Sequence, residues 1–320
     1  MHPTLTWTIH ASQPITAVGA NATIDEVLAS IKDAVDTAAA GSGRFEVADY
    51  NATNGTLVLR RKGSPSGELG TMRIILFGKA MPHASALRGG AGAAAATNLY
   101  MAMVIDPTSP TAPDASYTAG SPYPGKKYTR ANGCGGGGTI INTGKVVLFD
   151  ADEAFGFAIH GNNVAHFGYA GKLVHRITDD TLLWASFGSG NYTYDNTTGA
   201  EGVASAAPVP TQQGSYSLGG TYWDGASARC CTRMNTGVQL TGMDPYGAAG
   251  AVVLVPVLLG DCAQAASQTP AFLGFLRQMR LGPKAVIGSY LRDSLGVLQA
   301  RHISASEGTP GFGVWLDNVQ

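Results

Sequence analysis

The carboxylates and imidazoles whose spacing could do chemistry cluster between residues 145 and 183. Asp150, Asp152 and Glu153 stand close together, and Asp179-Asp180 follow further on. Two carboxyl groups serve as acid and base in glycoside hydrolysis when they face one another roughly 5–10 Å apart. Carboxylate oxygens also hold calcium. The plainer reading is solvated turn residues, because these acids follow apolar runs. His160 and His166 flank Gly161-Asn162-Asn163, and two imidazoles fall short of the three or four ligands a zinc site needs. They read as edge or interface histidines.

Other motifs are weaker. Residues 120–127 carry part of the letter pattern of a phosphate loop, but Pro122 and Pro124 interrupt it and no Ser or Thr stands directly after the lysines. Ser189 lies in Gly188-Ser189-Gly190, a plain turn context without the nucleophile elbow of a hydrolase. Cys134, Cys230, Cys231 and Cys262 have neither CxxC spacing nor the density of a disulfide framework, so free or buried thiols are expected. Tyr192, Tyr194, Tyr216, Tyr222 and Trp223 could stack on sugar rings, although packing at an interface is the commoner use of such aromatics. No residue is assigned a catalytic, cofactor-binding or metal-binding role, and no cofactor is expected.

The elements that position these groups are strands. Residues 145–149 form a short apolar run. Phe155, Phe157 and Ile159 then alternate with Gly156 and Ala158, and Phe167 and Tyr169 alternate after the Gly/Asn break. A period of two around such a break is a hairpin. A turn centred on Asn162-Asn163 sets Phe157 opposite Gly168, Phe155 opposite Ala170, Phe167 opposite Ala158 and Tyr169 opposite Gly156. Large faces small at each pair, which is how neighbours on a pleated sheet fill space. His160 and His166 then point to opposite faces. Both faces carry aromatics, so the hairpin should be covered on both sides, by the same chain or by another subunit.

Composition sets the limits. Charged residues are 13% of the 320, against roughly 25% in a typical soluble domain. The net charge of −1 leaves no basic footprint for nucleic acid and no electrostatic case for an anionic membrane. The longest apolar run, 248–259, contains Gly250 and Pro256 and is shorter than the ~20 residues needed to span a bilayer. The first residues lack the charged and apolar regions of a secretory signal. A protein made and kept soluble in a cytoplasm is expected.

Along the chain, residues 4–10 read as a strand. Thr23 and Glu26 form a capping box, and Ile24, Val27, Leu28, Ile31 and Val35 follow at helical spacing, giving an amphipathic helix over 24–38. Strands are expected at 44–50, 55–61, 70–77 and 99–105. Residues 107–132 hold five prolines and no periodicity, and with the glycine run 134–138 they read as an arm or long loop. Beyond the hairpin, strands are expected at 184–191, 251–259, 286–291, 297–303 and 311–316. The stretch 270–281 is open between helix and strand, and 192–219 reads as a surface excursion. The asparagines of the Asn-Xaa-Thr sites, Asn21, Asn51, Asn54, Asn191 and Asn196, are expected in turns. The expected fold is α+β and mostly β. An N-terminal helix-plus-meander domain (1–106) leads through an arm (107–138) to an antiparallel β-sandwich or barrel-like domain (139–320) with long Gly/Pro-rich loops.

Four stretches carry a likeness to a known class: the helix 23–35 leading into YNATNGTLVLRRKG (50–63), GELGTMRIILFG (67–78), the low-charge middle with its small-residue loops, and LRQMRLGPKAVIGSYLRDSLG (276–296) with its closing strands. In this layout the chain resembles structural proteins of tailed-bacteriophage virions, those of the tail, neck (collar) or baseplate. The resemblance implies a non-enzymatic building block located in the virion, present in symmetric copies, whose partners are copies of itself and other virion proteins. It carries over no catalytic residues. A head-decoration role is a variant of the same reading. The alternatives are a carbohydrate- or receptor-binding tail module engaging a host-surface glycan, and a polysaccharide hydrolase using Asp150, Asp152 or Glu153.

Overall fold

The computed structural model describes residues 5–20, 22–53, 55–63, 65–77, 98–107, 125–128, 132–136, 144–161, 164–175, 184–190, 217–223, 228–233, 255–261, 271–283, 289–292, 295, 298–305 and 312–320. The chain opens with two short strands, β1 (Thr8–Ile9) and β2 (Gln13–Pro14), and then the helix α1 (Ile24–Ala40). Next come β3 (Phe45–Asn51), β4 (Thr56–Arg61), the single turn α2 (Glu68–Thr71), β5 (Arg73–Phe77) and β6 (Asn98–Pro107). Two more strands, β7 (Gly125–Tyr128) and β8 (Asn132–Gly136), both pair with β6 and complete a six-stranded antiparallel sheet. Part of the expected arm 107–138 is therefore strand. β6 presents a long edge, and the small residues of 132–136 lie against it. Residues 108–124, 129–131 and 137–143 lie outside the described residues.

The second sheet has thirteen strands. It runs from β1 and β2 through β9 (Lys145–Ala151), β10 (Ala154–Gly161), β11 (Val164–His175), β12 (Trp184–Gly190), β13 (Ser217–Trp223), β14 (Ala228–Arg233), β15 (Val255–Asp261) and β16 (Ala271–Pro283). It then passes to β19 (Phe312–Asp317), β18 (Leu298–Ala305) and β17 (Tyr290–Arg292). All pairings between these strands are antiparallel. The described part of the chain is mostly β, with one long helix. β16 also returns to β11, through Leu173–Leu276, Val174–Phe275 and His175–Gly274. The sheet also continues past this return, to ends at β1/β2 and at β17. Residues 271–283, open between helix and strand in the sequence, are strand. Ser189 also lies in a strand and not a turn, paired to Phe167 on one side and Leu218 on the other.

The helix forms where its sequence begins it. Thr23 accepts a hydrogen bond from the Glu26 backbone, and the Glu26 carboxylate accepts one from Thr23 N. Val27, Leu28, Ile31, Ala34, Val35 and Ala38 are buried on one face. That face meets Phe45, Leu57, Leu59, Ile74 and Leu76 of the smaller sheet and Val146, Leu148, Phe155, Phe157 and Ile159 of the larger one in a single apolar cluster. The helix therefore joins the two sheets through one core.

The central hairpin has the register its side-chain sizes predict, with Phe155 opposite Ala170, Gly156 opposite Tyr169, Phe157 opposite Gly168 and Ala158 opposite Phe167. Gly156 lies between Phe149 and Tyr169 on neighbouring strands. A Cβ on Gly156 would sit 2.1 Å from the Phe149 ring, so glycine is what lets that ring lie flat over the sheet. Trp7 closes this second face, its ring centroid 5.5 Å from Phe149 and 6.2 Å from Tyr169 in edge-on contacts. Both faces of β9 and β10 are thus covered from within the chain.

Candidate functional site

The densest set of polar groups among the described residues surrounds Asp150. Val146, Leu148 and Asp150 share one face of β9, so the same period that buries the two aliphatic residues carries the carboxylate inward. Asp150 is 3% exposed. Its Oδ2 lies 3.0 Å from His10 Nε2 and accepts the Arg44 backbone N–H at 2.8 Å, while Oδ1 accepts Arg44 Nη1 at 3.0 Å. Arg44 Nη1 also donates to Thr8 Oγ1 at 2.7 Å. Asp152, in the turn after β9, is exposed and takes Arg44 Nε at 3.1 Å and Arg61 Nη2 at 2.9 Å. Arg61 in turn donates to Arg44 O at 2.6 Å. Burial lowers the pKa of Arg61, and the Asp152 charge opposes that shift.

The arrangement ties three parts of the chain together. His10 and Thr8 come from the N-terminal segment, Arg44 and Arg61 from the two ends of the β3–β4 hairpin, and Asp150 and Asp152 from β9 and its turn. A buried carboxylate with hydrogen-bond partners on both oxygens, the Arg44 guanidinium among them, ties together elements far apart in sequence. Asp150 and Asp152 are two carboxylates sharing the Arg44 guanidinium. The expectation that Asp150 is a solvated turn residue is corrected: it belongs to the strand and faces inward. Glu153 lies partly exposed in the turn.

His160 is the register partner of Ala165 and Ile159 that of His166, which places the two histidines one step apart on opposite faces. His160 donates to the backbone of Ile303, its Nε2 is buried without a hydrogen-bond partner, and burial pushes its pKa down to about 4 against that bond. Among the described residues, no group of three or more His, Cys, Asp or Glu is placed to hold a metal ion. Lys126 and Lys127 lie in β7 and pair along β6, so they stand on a strand and not in a loop before a helix. Cys134 is in β8 and Cys230-Cys231 in β14, where adjacent residues alternate between faces. Tyr222 and Trp223 are in β13. Asp179, Asp180, Tyr192, Tyr194, Tyr216 and Cys262 lie outside the described residues.

Sequence reasoning missed His10, Arg44 and Arg61. The signal for Arg44 and Arg61 was present, because a hairpin over 44–61 sets the two arginines at its open end, beside each other. Nothing local in the sequence pointed to His10. A second cluster it missed joins the chain ends. Trp7 and Val319 form a parallel bridge, with Trp7 N donating to Asn318 O at 3.0 Å and Gln320 N to Trp7 O at 2.9 Å. Leu5 N donates to Gln278 Oε1 at 3.0 Å, and Asn318 Nδ2 donates to Leu5 O at 2.8 Å. The chain matches no protein-family model and no curated protein.

Proposed function

We propose that this chain is a non-enzymatic structural subunit of a tailed-bacteriophage virion, part of its tail, neck or baseplate, built from symmetric copies and located in the virion. The observation that carries this reading is where charge lies. Only 13% of the residues are charged, and several of those described are used inside the fold: Asp150, Arg44 and Arg61 at the cluster, and Arg280 with Asp317 across β16 and β19. Meanwhile Val18 is 95% exposed, Leu295 85% and Tyr290 58%. Protruding apolar residues on a chain poor in charge suit burial against other subunits, where charged groups are depleted. The reading includes a sandwich- or barrel-like arrangement of residues 139–320, which the return of β16 to β11 supports. Light scattering on the purified protein, beside negative-stain images, tests it. Discrete multimers or rings are expected, and a 33 kDa particle at every concentration would overturn the reading.

A further inference from the structure

The N-terminal segment, residues 5–15, sits in a slot built by distant parts of the chain. One wall is β9, met through Thr8–Asp150, Ile9–Phe149, Gln13–Val146 and Pro14–Lys145. The other wall is the chain end, which brackets Trp7 by a hydrogen bond on each side. Trp7 is 0% exposed in this seat. The linker that follows, residues 16–20, carries no helix or strand and faces solvent along most of its length. Its tethers are side chains of α1: Ser30 Oγ accepts Thr16 N, and Glu26 Oε1 accepts Val18 N.

The seat is strained. Gln278 (φ 48) and Asn318 (φ 52) are the non-glycine residues with left-handed backbone among those described, and both hold Leu5. Such conformations persist only where the surroundings enforce them. The Trp7 indole N–H is also buried without a partner, which lowers the gain from burying its rings. A seat of this kind is emptied more readily than a buried tryptophan suggests, and β9 would then be a bare edge that accepts another strand.

We propose that residues 5–15 are an exchangeable strand, which in the assembled protein fills the same slot of a second copy of this chain. The contacts are identical within one chain and between two, so exchange alters only the path of the linker. This rests on the reading of the chain as a self-assembling subunit. The test is the double variant Pro14→Cys, Lys145→Cys. These exposed residues face each other across the β2–β9 pair. Neighbouring Ile15 N bonds Gly144 O, so the pair takes the close, non-hydrogen-bonded position, where Cα atoms approach within disulfide reach. The full-length variant is oxidised as purified, with the unsubstituted chain as control for the four native cysteines, and is then read by light scattering and non-reducing electrophoresis.

Multimers whose chains are joined at twice the chain mass or more support exchange. Multimers whose chains carry the disulfide internally, running as single chains, overturn exchange and leave the assembly reading standing. A monomeric particle overturns both.

Discussion

Asp150 joins the N-terminal segment, the start of β3 and β9, and its loss should be felt accordingly. Asp150→Ala leaves Arg44 partly buried without its main counter-charge and should lower unfolding free energy by about 3 kcal/mol in urea titration. Lys32→Ala, which removes the surface pairs with Asp33 and Asp36 on α1 and the cation–π contact with Tyr50, should change it by no more than about 1 kcal/mol. Gly156→Ala forces a methyl group into the Phe149 ring and should cost about 1–3 kcal/mol, read as a fall in Tm. His160 supplies a pH dependence. Its unfolded form takes up a proton near the ordinary value of 6.5, whereas the folded form does so only near 4. The unfolded state therefore binds more protons between these values, and stability falls as pH drops through that window. His160→Asn keeps a donor toward Ile303 without the titration, so its stability curve should be flatter between pH 6.5 and 4. An unchanged slope would show that other groups set the acid response.

The helix α1 begins at its capping box, and Thr23→Ala should destabilise the protein by about 1 kcal/mol. Glu26 does more than cap, since its carboxylate also holds Val18, and hydrogen bonds from the Thr23 and Val18 backbones lower its pKa. Local elements of this kind were legible in the sequence. The helix follows from Thr23, Glu26 and the spacing of Val27, Leu28 and Ile31, and the hairpin register follows from the alternation of Phe155 and Phe157 with glycine and alanine. Periodicity also implied that Asp150 lies on the buried face of Val146 and Leu148, although its place at the end of an apolar run suggested a turn. Contacts between distant segments were not legible. Nothing near His10 points to a carboxylate 140 residues on, and nothing near Trp7 points to Val319. Such pairs are fixed by which distant strands come to lie side by side, and single-strand patterns do not encode that neighbourhood. The strands β7 and β8 escaped notice because glycine and lysine dominate them, and their pairing depends on the edge that β6 offers.

For the whole molecule, the described core draws the helix and both sheets into one apolar cluster, and the two chain ends are bound to each other. Charged residues are few in the chain, and Val18 and Leu295 protrude among the described residues, which supports the proposed burial against further copies. The most direct test of that account is the mass of the purified, unmodified chain by light scattering across a range of concentrations. A discrete multiple of the chain mass, seen as rings or clusters in negative stain, is the predicted result. A single 33 kDa species throughout would contradict it.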